Sequence, residues 1–141
     1  NRPQYERVSE LVQDALSSGA SAAAGGKPMD GDGYFFEPTI LTGLSDGTRI
    51  VDEEQFGPAL PVITYRDVDE VVERANATHY GLSGSVWGTD VDRATEVAEE
   101  LECGTAWVNT HLALAPHQPF GMRTPESMIT RDSRAPRPML Q

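Results

Sequence analysis

From residue 60 to residue 109 short apolar runs alternate with two amphipathic stretches, and this alternation constrains the fold more than anything else in the 141-residue chain. Residues 60–65 (Leu-Pro-Val-Ile-Thr-Tyr), 83–87 and 105–109 are strand-like. Between them, Val68, Val71, Val72 and Ala75 form one helical stripe, and Val91, Ala94, Val97, Ala98 and Leu101 form another. Asp67, with Glu70 three residues on, marks the first helix start; Thr89 or Asp90 marks the second, and Gly104 is placed as its stop. Strand, helix, strand, helix, strand with short joints is the pattern of parallel strands joined by crossovers. The expected class is therefore α/β with a parallel-sheet βαβαβ core, all three strands in one sheet.

Upstream, Pro3 followed by Tyr5, Val8, Leu11, Val12, Ala15 and Leu16 describes an amphipathic helix that stops before Gly19. Residues 21–33 are small and Gly-rich and read as turns. Tyr34, Phe35 and Phe36, then Thr39, Ile40 and Leu41, read as an edge strand interrupted by Pro38, because proline donates no ladder hydrogen bond. Residues 45–48 form another turn.

The stretch Asp52-Glu53-Glu54-Gln55-Phe56-Gly57-Pro58 stands immediately before the first core strand. Adjacent carboxylates beside an aromatic residue and a Gly-Pro turn form a poor packing pattern. A carboxylate accepts two hydroxyl hydrogen bonds and a ring covers a flat group, so the stretch suits a ligand; it also suits a solvated acidic turn. Ligands gather beyond the carboxyl ends of parallel strands, which here are Tyr65-Arg66, Trp87-Gly88 and Asn109-Thr110-His111, and this raises Asn109 as a candidate. The Asn109 amide there can serve a substrate oxygen or cap the loop backbone.

Charge and cysteine content narrow the function classes. Residues 1–121 carry 20 acidic and 7 basic side chains, whereas the last twenty carry 2 and 4, so the final segment is compositionally different. An acidic body offers no basic patch for nucleic acid or an anionic membrane. No apolar run reaches membrane length, no leader pattern opens the chain, and one cysteine suits a reducing compartment; the expected location is cytoplasmic. Asn76-Ala77-Thr78, formally a glycosylation acceptor, reads as a helix end.

Several chemistries fail on spacing. Gly25-Gly26-Lys27 lacks the earlier glycine and following hydroxyl residue of a phosphate loop, and Asp30-Gly31-Asp32-Gly33 lacks the later glutamate of a calcium loop. His79, His111 and His117 do not share a helical face, so no metal site is expected. Cys103 falls at the carboxyl end of a helix, where the macrodipole disfavours a thiolate, and reads as a packing residue.

Taken together, Glu53-Glu54-Gln55-Phe56-Gly57-Pro58, Ala75-Asn76, Tyr80-Gly81-Leu82, Ser85-Val86-Trp87, Gly104-Thr105-Ala106-Trp107-Val108-Asn109 and Pro119-Phe120-Gly121 resemble, in order and spacing, the catalytic domain of NAD(P)-dependent aldehyde dehydrogenases. The resemblance covers residues 1–121 and implies the carboxyl-terminal part of that domain. It implies NAD or NADP as cofactor, with Glu54 on the nicotinamide ribose hydroxyls and Phe56 against the nicotinamide. It implies an aldehyde substrate walled by His111 and Phe120, with Asn109 as support at that end. It also implies that the nucleophilic cysteine, general-base glutamate and dinucleotide-binding domain of the family lie in a part of the family sequence that precedes this segment. On that basis the chain is expected to be inactive alone, no residue in it being catalytic. The alternative expectation is a non-catalytic interaction or oligomerisation module, pairing with itself or a partner subunit. Residues 122–141 depart from the family pattern and are expected to form a loose tail, lacking apolar periodicity to offset ordering entropy.

Overall fold

The structure, a computed structural model, describes residues 1–117 and 120–122. Expectations for Pro119 and for the tail from residue 123 onward lie outside these residues. The chain divides into two compact units, Asn1–Thr64 and Tyr65–Gln141.

In the first unit, helix α1 (Arg2–Ser17) begins where the Asn1 side chain accepts a hydrogen bond from the Gln4 amide at 3.0 Å. Its buried face is Val8, Leu11, Val12 and Ala15, the stripe expected from the spacing. That face packs with Phe36, Leu41, Ile50 and Ala59 to form the core. Strands β1 (Ser21–Ala24), β2 (Thr39–Thr42) and β3 (Ala59–Pro61) form a sheet in that order, β1 antiparallel and β3 parallel to β2. A single helical turn, α2 (Arg49–Asp52), precedes β3.

Two expectations are corrected here. Residues 21–24 are a strand, although Ser-Ala-Ala-Ala carries no apolar alternation and is exposed throughout. Thr39–Thr42 is the central strand rather than an edge, because Pro38 falls just before the ladder and leaves its donors intact.

The second unit contains α3 (Val68–Asn76), β4 (Ser83–Val86), α4 (Val91–Glu100) and β5 (Thr105–Val108). Asp67 and Asp90 cap the two helices, accepting from the amides of Glu70 at 2.9 Å and Arg93 at 3.0 Å. β4 and β5 pair in parallel from Ser83↔Thr105 to Val86↔Val108, with α4 between them in sequence and packed on both. Ala94, Ala98 and Trp107 are buried there, and Val72 is the buried residue of α3. Val91, expected in the inner stripe of α4, is exposed.

The α/β class with parallel pairing holds, but the three core strands do not share one sheet. β3 takes β2 as its parallel partner while β4 takes β5. β3 is bracketed by Pro58 and ends on Pro61, neither of which can donate, so it pairs for three residues only. Gly104 is likewise not a helix cap. α4 ends at Glu100, and the Asn76 side chain closes it by donating to the Glu100 carbonyl (2.9 Å) and accepting from the Glu102 amide (2.8 Å). Gly104 opens β5 instead, where a side chain would collide with the Gly121 carbonyl.

Candidate functional site

The acidic stretch leaves α2 in extended conformation, Glu53 having φ −101° and ψ 131°. An extended chain sends alternate side chains to opposite sides. Glu53 and Gln55 are accordingly half-buried, whereas Glu54 and Phe56 are exposed, the Phe56 ring at 78% of its surface. An aromatic ring that open is costly to leave in water and is suited to cover a flat apolar group.

The inward pair is anchored. The Glu53 carboxylate accepts from Arg7 on α1 and from Arg49 on α2, the latter through Nε at 2.7 Å and Nη2 at 3.4 Å. Arg49 extends the network by donating through Nη1 to Glu10 at 2.9 Å, and Asp14 lies 3.9 Å away. Hydrogen bonds from Arg49 and then Arg7 hold the Glu53 carboxyl below the usual carboxylate range; the same contacts, Glu53 first and Glu10 second, raise the Arg49 guanidinium. Gln55 Nε2 donates to the Ala59 carbonyl at 2.7 Å.

The exposed end is held through its backbone. Gln4 Nε2 donates to the Phe56 carbonyl at 2.6 Å, and Gly57 lies so close to Val8 that a β-carbon would overlap that side chain. The Pro58 carbonyl then accepts from the Thr39 amide at 2.7 Å, which starts the β2–β3 pairing. Residues 53–58 therefore run along α1 with three points of attachment to it, at Arg7, Gln4 and Val8.

Of the second group of expected residues, Asn109 and His111 follow the carboxyl end of β5 and Phe120 meets the strand at Trp107. Asn109 has φ 52°, a left-handed conformation that asparagine tolerates better than most residues. Its Nδ2 donates to the Gly88 carbonyl and its Oδ1 accepts from the Gly88 amide, each at 2.8 Å. Both ends of the amide thus serve the loop after β4, the backbone-capping role of the two that its position allowed. His111 meets the buried Trp107 ring edge-on, with centroids 5.4 Å apart, and Phe120 lies on it at 6.2 Å with a 31° tilt. Trp107 Nε1 donates back to the Ala113 carbonyl at 3.3 Å, folding residues 109–113 over the strand end and leaving Leu112 and Leu114 exposed.

The structure thus brings Glu54 and Phe56 together on one loop of the first unit, and in the second it sets His111 and Phe120 on Trp107, with Asn109 just past the end of β5. Gln4, Arg7 and Arg49 escaped sequence reasoning. A signal for the first two was present: Gln4, Arg7, Glu10 and Asp14 recur every three or four residues, a polar stripe bordering the buried stripe of α1. Cys103 is half-buried, its Sγ 3.2 Å from the Thr105 carbonyl. Among the described residues, no group of three His, Cys, Asp or Glu side chains could hold a metal ion, and no helix is long and apolar enough to cross a membrane.

The first unit thus displays a carboxylate and an open ring on one anchored loop, and the second an aromatic cluster around the Trp107 of a parallel strand. Residues 1–131 match the model of the aldehyde dehydrogenase family, and the chain belongs to that family. It is 43% identical over 118 residues to an aldehyde dehydrogenase of Enchytraeus buchholzi, covering 84% of this chain and 24% of that protein. It is 40% identical over 121 residues to cytosolic aldehyde dehydrogenase 1 of Macroscelides proboscideus, covering 86% and 24%. Among solved structures, the NAD+ complex of an aldehyde dehydrogenase from Bacillus cereus superimposes with a TM-score of 0.81 at 38% identity, covering 86% of this chain and 25% of that one. The chain spans about a quarter of the length of these relatives.

Proposed function

We propose that this chain forms the nicotinamide-side and substrate-side walls of an NAD(P)-dependent aldehyde dehydrogenase, which oxidises an aldehyde to a carboxylic acid. The observation that carries the reading is the alternation along residues 53–56. Glu54 and Phe56 are exposed, whereas Glu53 and Gln55 are half-buried. An exposed carboxylate two residues from a 78% exposed ring fits a ribose diol joined to a flat heterocycle. The cofactor supplies the hydride acceptor when bound. Glu54 would accept the ribose hydroxyls and Phe56 would lie along the nicotinamide. His111 and Phe120, set on Trp107, would line the aldehyde side, with Asn109 holding that wall through Gly88.

The nucleophile and the dinucleotide-binding domain belong, in this proposal, to polypeptide outside these 141 residues. Two facts support this: the chain spans about a quarter of its relatives, and its one thiol is half-buried with its Sγ against the Thr105 carbonyl. A cytosolic location is part of the same proposal and is supported by relatives whose names carry that word. The test is NAD titration of the chain with and without the Glu54→Gln and Phe56→Ala substitutions, read by saturation-transfer NMR. Saturation transfer to the NAD protons in the wild type that both substitutions weaken supports the reading, and an absence of transfer refutes it.

A second reading, an association module, is favoured by a different feature. Ile40 and Leu60 are register partners on β2 and β3 and are 41% and 59% exposed, so the outward face of the sheet carries an apolar pair. Light scattering that shows only monomer at high concentration eliminates self-association through it.

A further inference from the structure

The geometry points to Glu53 as a positioning residue: gripped between Arg7 of α1 and Arg49 of α2, it sets the phase of the extended loop, and so the outward presentation of Glu54 and Phe56 to a nicotinamide dinucleotide. The inference rests on the cofactor reading above and adds a residue that does not itself touch the ligand.

Phase is the central quantity. Side chains of an extended segment alternate with a period of two, so a slip of one residue turns Glu54 and Phe56 inward and Glu53 and Gln55 outward. The two adjacent glutamates make that slip chemically plausible, because either carboxylate could serve the arginines. Selection between them falls to geometry. Arg49 reaches Glu53 one helical turn later, at spacing i,i+4, and its Nη1 is already committed to Glu10, which fixes the direction of its fork. Arg7 approaches the same carboxylate from the facing helix. Two arginines from two elements meeting at one carboxylate specify position better than a single pair does, since planar guanidinium groups constrain direction as well as distance. The remaining anchors act downstream: Gln55 on Ala59, Gln4 on the Phe56 carbonyl, Gly57 against Val8.

If the loop occupies the binding phase for only a fraction of the time, apparent affinity falls by that fraction. Releasing Glu53 while the downstream anchors remain is expected to leave the loop in phase about a fifth of the time, weakening dinucleotide affinity about fivefold.

The experiment uses the 141-residue chain labelled with 15N, in wild-type form and as Glu53→Gln, Arg49→Gln and Glu54→Gln. Order at residues 54–57 is read from heteronuclear NOEs, and NAD affinity from the shifts of those amides. The expected result is that Glu53→Gln and Arg49→Gln loosen residues 54–57 and weaken NAD about fivefold while the β1–β2–β3 resonances stay in place, and that Glu54→Gln weakens NAD without loosening the loop. Unchanged order and affinity in both Glu53→Gln and Arg49→Gln overturn the positioning role while leaving the cofactor reading standing. Loosening by Glu53→Gln with no NAD-dependent shift in any form overturns the cofactor reading, and with it the purpose assigned to Glu53. Should Glu53→Gln fail to fold, Arg49→Gln decides alone, because it keeps the Arg7 ion pair and removes only the second grip that fixes the direction of the carboxylate.

Discussion

At the level of single residues, Glu53 ties acidity to the order of the loop. Its carboxyl is held below the ordinary glutamate range by Arg49 and Arg7 in the folded chain, so folding favours the ionised form. The stabilisation is fully present above the unfolded pKa, roughly 4.3, and disappears as pH falls through the lower folded value. Order at residues 54–57, read from heteronuclear NOEs, should therefore fall in that acidic window in the wild type, and the pH-dependent fall should be absent in Glu53→Gln. Gly57→Ala should destabilise the first unit by about 1–3 kcal/mol in chemical denaturation, since the added methyl meets Val8. The acidic stretch was legible because Glu54, Phe56 and the Gly-Pro turn are contiguous. The amide of Asn109 was legible only as two alternatives, because its partner Gly88 is 21 positions away and glycine leaves no signal of a side-chain contact.

At the level of elements, the helices declared themselves and the strands of the first unit did not. Amphipathic spacing and the caps Asn1, Asp67 and Asp90 are local, so α1, α3 and α4 were readable from short windows. β1 is held by its pairing with β2 about twenty residues away, and Ser-Ala-Ala-Ala has no pattern of its own. The closure of α4 by Asn76 is a comparable long-range device, reaching across 24 positions to Glu100. Asn76→Ala removes both hydrogen bonds at the α4 terminus and should cost about 1–2 kcal/mol, with faster hydrogen exchange confined to residues 100–103.

For the molecule as a whole, the α/β class was legible and the division of strands was not. Periodicity identifies an element but carries no information about its neighbour; β3 pairs with β2, which the sequence presented as an interrupted edge. The proposed function makes a whole-molecule prediction as well. Purified chain supplied with NAD and a simple aldehyde should generate no NADH, because covalent catalysis needs an activated thiol and Cys103 lies half-buried beside the Thr105 carbonyl. Sustained turnover, abolished by Cys103→Ser, would assign the nucleophile to this segment and overturn the proposal.

The contact between Gly104 and Gly121 makes the wall around Trp107 sensitive to a single carbon atom. The Gly121 carbonyl stands in the volume that a β-carbon at position 104 would claim, and residue 121 is bonded directly to Phe120. A methyl group introduced at 104 acts as a wedge, levering the Phe120 ring off Trp107 without altering any aromatic residue. The seating of Phe120 on Trp107 is thus adjustable from position 104, by an alteration that leaves every aromatic side chain chemically the same.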